Sequence, residues 1–364
     1  MDSLPIFLVT APGLESYLAD EARERGFNVT EQIPGGVTLD GTWDDALRAN
    51  IWLRGATRVL VRVAEFRALH LAQLDKRSRK LPWSDWLRPD VPIRVEATCR
   101  KSRIYHHRAA AQRVGRAITE TLGATVDDKA ALTLKVRIED DLCTISIDTS
   151  GPSLHKRGLK QQVNKAPMRE TLAALFLRAA GYDGTQPVYD PMCGSGTFPI
   201  EAAEIALGLA PGRARSFAMY NLASSLRPER ADLPAPKETS LRFYGSDRDN
   251  GAIAMSRANA ERAGVDHVTS FDMKPIAEAT PPEGPPGLVI LNPPYGGRIG
   301  NKKPLYGLYA AIGETLRTNF TGWRVGLITS EQSLAKATGL PFDAPGPLVD
   351  HGGIKIRLWQ TGTL

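Results

Sequence analysis

Cysteine is scarce in this chain: Cys99, Cys143 and Cys193 are the three in 364 residues, and no two stand in a Cys-x-x-Cys pair. That spacing excludes a disulfide framework and a structural zinc site, and it points to a reducing compartment. No apolar run approaches the ~20 residues that cross a bilayer. The opening Met1-Asp2-Ser3-Leu4-Pro5 lacks the basic-then-apolar order of a secretory signal. The expectation is a soluble, cytoplasmic protein with no membrane partner and no metal. Acidic residues are the minority charge, 40 against 46 Lys and Arg, which gives a net charge of +6 and favours an anionic partner. Two stretches, 100–119 and 151–167, contain no acid at all.

The length predicts two or three domains, and a hydrophobic content of 42% is enough for ordinary cores. Residues 1–65 alternate strand and helix in short units (strands at 5–10, 37–39 and 59–63, helices at 13–26 and 43–54) without a glycine-rich phosphate loop. They read as a small α+β module. Residues 66–150 read as a second one, with a strand at 92–97, a helix at 109–122 and a hairpin at 132–147 turning at Glu139-Asp140-Asp141. Between that strand and helix lies Arg100-Lys101-Ser102-Arg103-Ile104-Tyr105-His106-His107-Arg108. A solvated basic helix end would look much the same. The mixture of cations with Tyr and His at a helix N-terminus, where backbone N–H groups also favour phosphate, makes Arg100, Lys101, Arg103, Tyr105, His106 and Arg108 candidate nucleic-acid contacts. Residues 151–167 form a polar linker in which Lys156 and Arg157 are further candidate RNA contacts. From 168 to 364 the pattern becomes doubly wound α/β. Strands are expected at 188–190, 241–245, 267–271, 288–291 and 323–328, with helices at 169–180, 198–207 and 250–263, and an antiparallel pair joined at Gly352-Gly353 closes the sheet.

The first strand of that sheet runs into Asp190-Pro191-Met192-Cys193-Gly194-Ser195-Gly196-Thr197 and then a helix. Gly194 and Gly196 allow a sharp turn and close approach to a ligand. A lone Gly-x-Gly can be no more than a tight turn, but two further acids sharpen the reading. Asp247 ends the next strand, where a carboxylate can accept from both ribose hydroxyls, and Asp272 ends the third, where it can accept from an adenine amine. Three acids after successive strands line one edge of an open sheet at its switch point. A dinucleotide would need a third glycine where Pro199 stands, and a phosphate loop would need a lysine. S-adenosylmethionine, a nucleoside without phosphate, fits the pattern better. Asp249 reads as a helix cap and Cys193 as a small packing residue.

Leu288–Leu291 reads as a buried strand that Pro293 and Pro294 forbid from continuing. Asn292 and the Pro293 carbonyl can together accept both hydrogens of a planar exocyclic amine, while Tyr295 stacks on the ring that carries it. Accepting those hydrogens localises the nitrogen lone pair toward a sulfonium methyl, and alignment supplies most of the rate. Asn292, Pro293, Pro294 and Tyr295 are therefore the candidate catalytic residues, although a rigid turn after a strand could carry the same four.

These motifs, with Phe198-Pro199-Ile200-Glu201-Ala202-Ala203 and with Arg298 and Gly300 after Asn292-Pro293-Pro294-Tyr295-Gly296, resemble the THUMP-domain RNA methyltransferases. They are most similar to the bacterial 23S ribosomal RNA guanine-N2 methyltransferase L type, a family often labelled adenine-specific DNA methylases. Leu154-His155-Lys156-Arg157-Gly158 and 166–172 resemble the family's linker and first methyltransferase helix, although Leu159 stands where Tyr is common. The resemblance covers nearly the whole chain, and the second methyltransferase module fused in some relatives is not present before the last residue, Leu364. It implies a ferredoxin-like domain at 1–65, a THUMP domain at 66–150, a linker at 151–167 and a class I, Rossmann-like methyltransferase domain at 168–364. It implies that Asp190, Gly194, Gly196, Asp247 and Asp272, with Pro191, Thr197 and Met273 beside them, hold S-adenosylmethionine, and that Ala166, Pro167 and Met168 close over it. RNA is the implied partner, as 23S ribosomal RNA or its precursor particle, with transfer RNA an alternative. Adenine-N6 methylation of RNA or DNA would use the same four catalytic residues, and an inactive RNA-binding module of the same fold is a further alternative.

Overall fold

The computed structural model describes residues 3–161, 167–226, 229, 232–296 and 303–364, and the chain divides into two compact units. The first comprises Met1–Thr10, Leu18–Leu154 and Arg215–Asp232; the second comprises Ala11–Tyr17, His155–Ala214 and Leu233–Leu364.

In chain order the N-terminal elements are β1 (Leu4–Val9), α1 (Glu15–Glu24), β2 (Asn28–Ile33), β3 (Gly36–Gly41), α2 (Trp43–Trp52), β4 (Arg58–Arg67), α3 (Leu71–Ser78), α4 (Trp83–Trp86), β5 (Ile93–Arg100), α5 (His107–Leu122), β6 (Leu132–Glu139) and β7 (Leu142–Asp148). One seven-stranded sheet runs through the first unit in the order β2-β3-β1-β4-β7-β6-β5. Ile6 and Leu8 on β1 and Val59 and Val61 on β4 are fully buried, which seats these two strands at the sheet's centre. Strand β4 pairs with β1 along one edge and with β7 along the other. The boundary expected after residue 65 thus falls inside a strand that belongs to both halves. Helix α2 begins at a reciprocal capping box between Thr42 and Asp45. Helix α5 ends where Gly123 adopts φ 84°, a left-handed stop suited to glycine. The 215–232 segment, expected within the methyltransferase domain, packs in this first unit. Met219 N donates to the Thr149 carbonyl at 3.1 Å and Ala223 N to the Trp86 carbonyl at 3.0 Å. The buried Arg215 guanidinium donates to the carbonyls of Ser150, Pro152 and Ser153.

The second unit contains α6 (Glu170–Ala179), β8 (Val188–Asp190), α7 (Thr197–Ala206), β9 (Phe243–Asp247), α8 (Asn250–Ala263), β10 (Thr269–Met273), β11 (Leu288–Leu291), α9 (Lys303–Asn319), β12 (Arg324–Thr329), α10 (Gln332–Ala337), β13 (Val349–His351) and β14 (Ile354–Gln360). Its sheet order is β10-β9-β8-β11-β12-β14-β13, parallel from β10 to β12 and antiparallel where β14 joins. All four residues of β11 and all three of β8 are buried, as central parallel strands covered on both faces must be. Val289, Leu291, Tyr309, Ile312, Leu316 and Phe320 share one apolar cluster, each buried aliphatic or aromatic side chain contributing about 1.5–3 kcal/mol. From β8 the chain winds one way through β9 and β10 and later returns to the other side through β11 and β12. The switch point therefore lies between β8 and β11. No helix among the described residues is long and apolar enough to cross a membrane.

Candidate active site

Two loops leave the sheet at that switch point, one after β8 and one after β11. In the first, Gly194 and Gly196 hold φ 54° and 80°, left-handed values that L side chains resist. A Cβ on Gly196 would also meet Ser256 Oγ at 3.0 Å, whereas one on Gly194 would meet nothing within 4 Å. Gly194 therefore presents bare backbone to open space, as close approach to a ligand requires. The loop is fastened from behind. Gly194 N donates to Asp247 Oδ2 at 3.0 Å, Cys193 N to the Ser246 carbonyl at 2.9 Å, Ser256 Oγ to the Gly194 carbonyl at 2.9 Å and Asn259 Nδ2 to the Ser195 carbonyl at 3.0 Å. Ser256 and Asn259 come from α8 and did not stand out in the sequence.

The three acids take three different environments along the sheet edge. Asp190 is 3% exposed and accepts from Met192 N at 3.0 Å. Burial, reinforced by the negative charge of Asp247, pushes its carboxyl well above the ordinary carboxylate range. Asp247 is half-buried and accepts from Gly194 N and Asp249 N, which leaves acceptor capacity on each oxygen. Asp272 and Met273 are exposed at the end of β10. Asp249 caps α8 by accepting from Gly251 N at 2.8 Å. Cys193 is buried, which pushes its thiol well up, with the Asp190 charge adding to the effect. It is held as an unreactive packing group.

Behind the loop, Thr197 Oγ1 accepts from Lys160 Nζ at 2.8 Å, and the same ammonium donates to the Met168 carbonyl at 3.2 Å and pairs with Glu170 at 3.5 Å. Lys160 thus ties the loop to the segment expected to close over the cofactor. Met168 is buried, Pro167 is half-buried and Pro191 is buried, while Ala166 lies outside the described residues.

In the second loop Pro293 is buried, Pro294 exposed and Tyr295 half-buried. The Tyr309 hydroxyl donates to the Pro294 carbonyl at 3.3 Å and lies 3.2 Å from Thr329 Oγ1, fixing the path of the turn. The carboxamide oxygen of Asn292 is buried and has no hydrogen-bond partner among the described residues. An orphaned buried acceptor is costly unless something donates to it. The Tyr295 hydroxyl stands 3.2 Å from His351 Nδ1, and His351 Nε2 stands 3.4 Å from the Pro167 carbonyl. Sequence reasoning missed His351, whose one visible signal was its position directly before Gly352-Gly353. Arg298 and Gly300 lie outside the described residues.

The basic segment belongs to the first unit and is built rather than trailing. Ser102 Oγ donates to the Arg100 carbonyl at 2.8 Å and accepts from Asp141 N at 3.0 Å, and Asp141 accepts from Arg103 N at 2.8 Å. Asp140 and Asp141 make this support by adopting φ 49° and 63°. Ile104 is buried beneath, and above it Arg100, Lys101, Arg103, His106, His107 and Arg108 are exposed, with Tyr105 at 81%. His106 also caps α5, its Nδ1 accepting from Ala109 N at 3.3 Å.

Lys156, in the second unit, is exposed. Arg157 corrects the sequence reading. Its side chain is 3% exposed and forms ion pairs with Glu201 and Glu204 of α7, themselves 3% exposed, so this guanidinium serves the interior and not a phosphate.

The sequence matches the RMKL-like methyltransferase domain over residues 157–341, the RlmL ferredoxin-like domain over 5–60 and the THUMP domain over 70–148. A ribosomal RNA large subunit methyltransferase K/L of Syntrophotalea carbinolica is 36% identical across 93% of this chain and 51% of its own length. The chain thus spans about half the length of that relative. A crystal structure described as "a possible methylase" from Clostridium difficile 630 superposes with a TM-score of 0.88 at 30% identity, covering 100% of this chain and 99% of its own. SMU.472, solved in complex with SAH, has a TM-score of 0.85 at 26% identity, covering 100% of this chain and 99% of its own.

Proposed function

For this chain, which belongs to the RMKL-like methyltransferase family and carries the RlmL ferredoxin-like and THUMP domains ahead of its methyltransferase fold, we propose S-adenosylmethionine-dependent methylation of an exocyclic amine in RNA. The observation that carries this reading is the buried Asn292 carboxamide oxygen just past the C-terminal end of β11, which has no hydrogen-bond partner among the described residues. An amine N–H is a donor that suits it. The cofactor assignment rests on the bare Gly194 backbone, on Asp247 with acceptor capacity left, and on Asp272 exposed at the neighbouring strand end. When bound, S-adenosylmethionine supplies an activated methyl.

In this reading Asn292 and the Pro293 carbonyl hold the two amine hydrogens, and the Tyr295 ring stacks on the base. Asp247 orients the ribose, and the Tyr309 hydroxyl keeps the turn from shifting. The basic loop around Tyr105 contributes phosphate contact and aromatic stacking to RNA capture. The name of the Syntrophotalea relative favours large-subunit ribosomal RNA as the substrate. We take guanine N2 of 23S RNA as the finer assignment, acting in the cytoplasm.

The test uses unmodified ribosomal RNA, transfer RNA and DNA, each incubated with methyl-labelled S-adenosylmethionine, with the nucleoside identified by mass spectrometry. N2-methylguanosine from ribosomal RNA is the expected product. Asn292→Ala is expected to lower turnover ~100-fold or more, the scale of losing one preorganised hydrogen-bonding group, with cofactor affinity kept. N6-methyladenosine, or label confined to transfer RNA, would overturn the finer assignment. Cofactor binding without any transfer would favour the inactive-module reading.

A further inference from the structure

We propose that His351 is a positioning residue that ties the cofactor-side segment to the base-side loop, an inference resting on the function proposed above. The residue ends β13, and β14 returns beside β12 after Gly352 and Gly353 reverse the chain at φ 63° and 85°. Val349 and Ile356 are fully buried and paired across this hairpin, which fixes where the imidazole emerges. One ring nitrogen then meets each side of the site, Nδ1 at 3.2 Å from the Tyr295 hydroxyl and Nε2 at 3.4 Å from the Pro167 carbonyl.

The two partners choose the tautomer. A carbonyl can only accept, so Nε2 carries the proton and donates to Pro167. In the neutral ring Nδ1 is then an acceptor, and the Tyr295 hydroxyl donates to it. One imidazole satisfies both contacts without a change of protonation. It orients the aromatic ring meant for the base and holds the residue next to Met168, whose carbonyl Lys160 already anchors. The segment tied to the cofactor loop and the ring meant for the base therefore share a group. A shared group makes the two binding steps energetically coupled, each helping the other by the same factor.

The test is a double-mutant cycle on the full chain, reading S-adenosylmethionine affinity by calorimetry without RNA, and kcat and KM with the RNA that the wild type methylates. His351→Phe keeps the ring but neither nitrogen. It is expected to weaken cofactor binding ~2–10-fold, the range of one to a few modest hydrogen-bond terms, and to lower kcat. Tyr295→Phe keeps the stacking face and loses the hydroxyl. It is expected to weaken cofactor binding in the wild-type background and to add nothing in the His351→Phe background. His351→Gln, whose amide reaches the Nε2 position, is expected to recover cofactor affinity while kcat stays low, a split that a merely structural role would not give. Strictly additive effects, an unchanged cofactor affinity in His351→Phe, or failure of His351→Gln to restore it would each overturn the proposal. If His351→Phe does not fold, Tyr295→Phe and His351→Gln still decide. A wild type that binds the cofactor but methylates no RNA would sink the functional reading, while the affinity cycle would still judge the coupling. A wild type that binds no cofactor would overturn both.

Discussion

Asp190 holds its proton to higher pH than a carboxyl ordinarily does, because it is buried beside the negative charge of Asp247. The folded state then binds that proton more tightly than the unfolded chain, so this residue makes stability fall as pH rises above the unfolded Asp value of about 3.9. Asp190→Asn is expected to raise the melting temperature at pH 7–8 by about 2–4 °C, the shift that accompanies ~1 kcal/mol in a domain of this size. The gain should vanish near pH 4, and cofactor affinity should drop; calorimetric scans across that pH range and a binding titration check both. Cys193→Ala, by contrast, should leave methyl transfer within about 2-fold of normal, since an inert buried thiol contributes packing and little else. The strand ends where Asp190, Asp247 and Asn292 sit were legible because composition and period announce those strands. The place of His351 was not, because these two of its contacts lie 56 and 184 positions away and no local pattern links them.

At the scale of elements, α7 explains where Arg157 goes. The helix reads Thr-Phe-Pro-Ile-Glu-Ala-Ala-Glu-Ile-Ala and buries Glu201 and Glu204, three residues apart on one face. Buried acids on an apolar helix demand cations. Arg157 meets both of them, and Arg213 meets Glu204 at 2.5 Å. Arg157→Met is expected to cost about 3–5 kcal/mol, because it strands buried charge. Adding Glu201→Gln should recover part of that loss, as denaturant titration would measure. The signal was present in the sequence, but on α7 and not on the linker. A charge run gives the sign of a surface; only the partner's burial tells whether the run is a surface at all.

At the scale of the molecule, the basic loop is expected to govern how RNA affinity responds to salt. Arg100→Ala with Arg103→Ala should weaken RNA binding and flatten the slope of log K against log salt by about one for each phosphate no longer neutralised, with cofactor affinity unchanged. The alternating pattern of β4 announced a strand but could not say that its two edges serve different neighbours. Hydrogen bonding across both edges of β4 has a practical corollary for dissection. Cutting there would bare two strand edges at once, each a template for aggregation. Ending a fragment at Leu154 would instead leave the carbonyls of Thr149 and Trp86 without the donors that Met219 and Ala223 supply, and Ser150, Pro152 and Ser153 without Arg215. The first unit is therefore assembled from three separated segments of the chain, the last of them 215–232. A free-standing version should need residues 215–232 grafted back, by a short loop or as an added peptide, before it stays soluble.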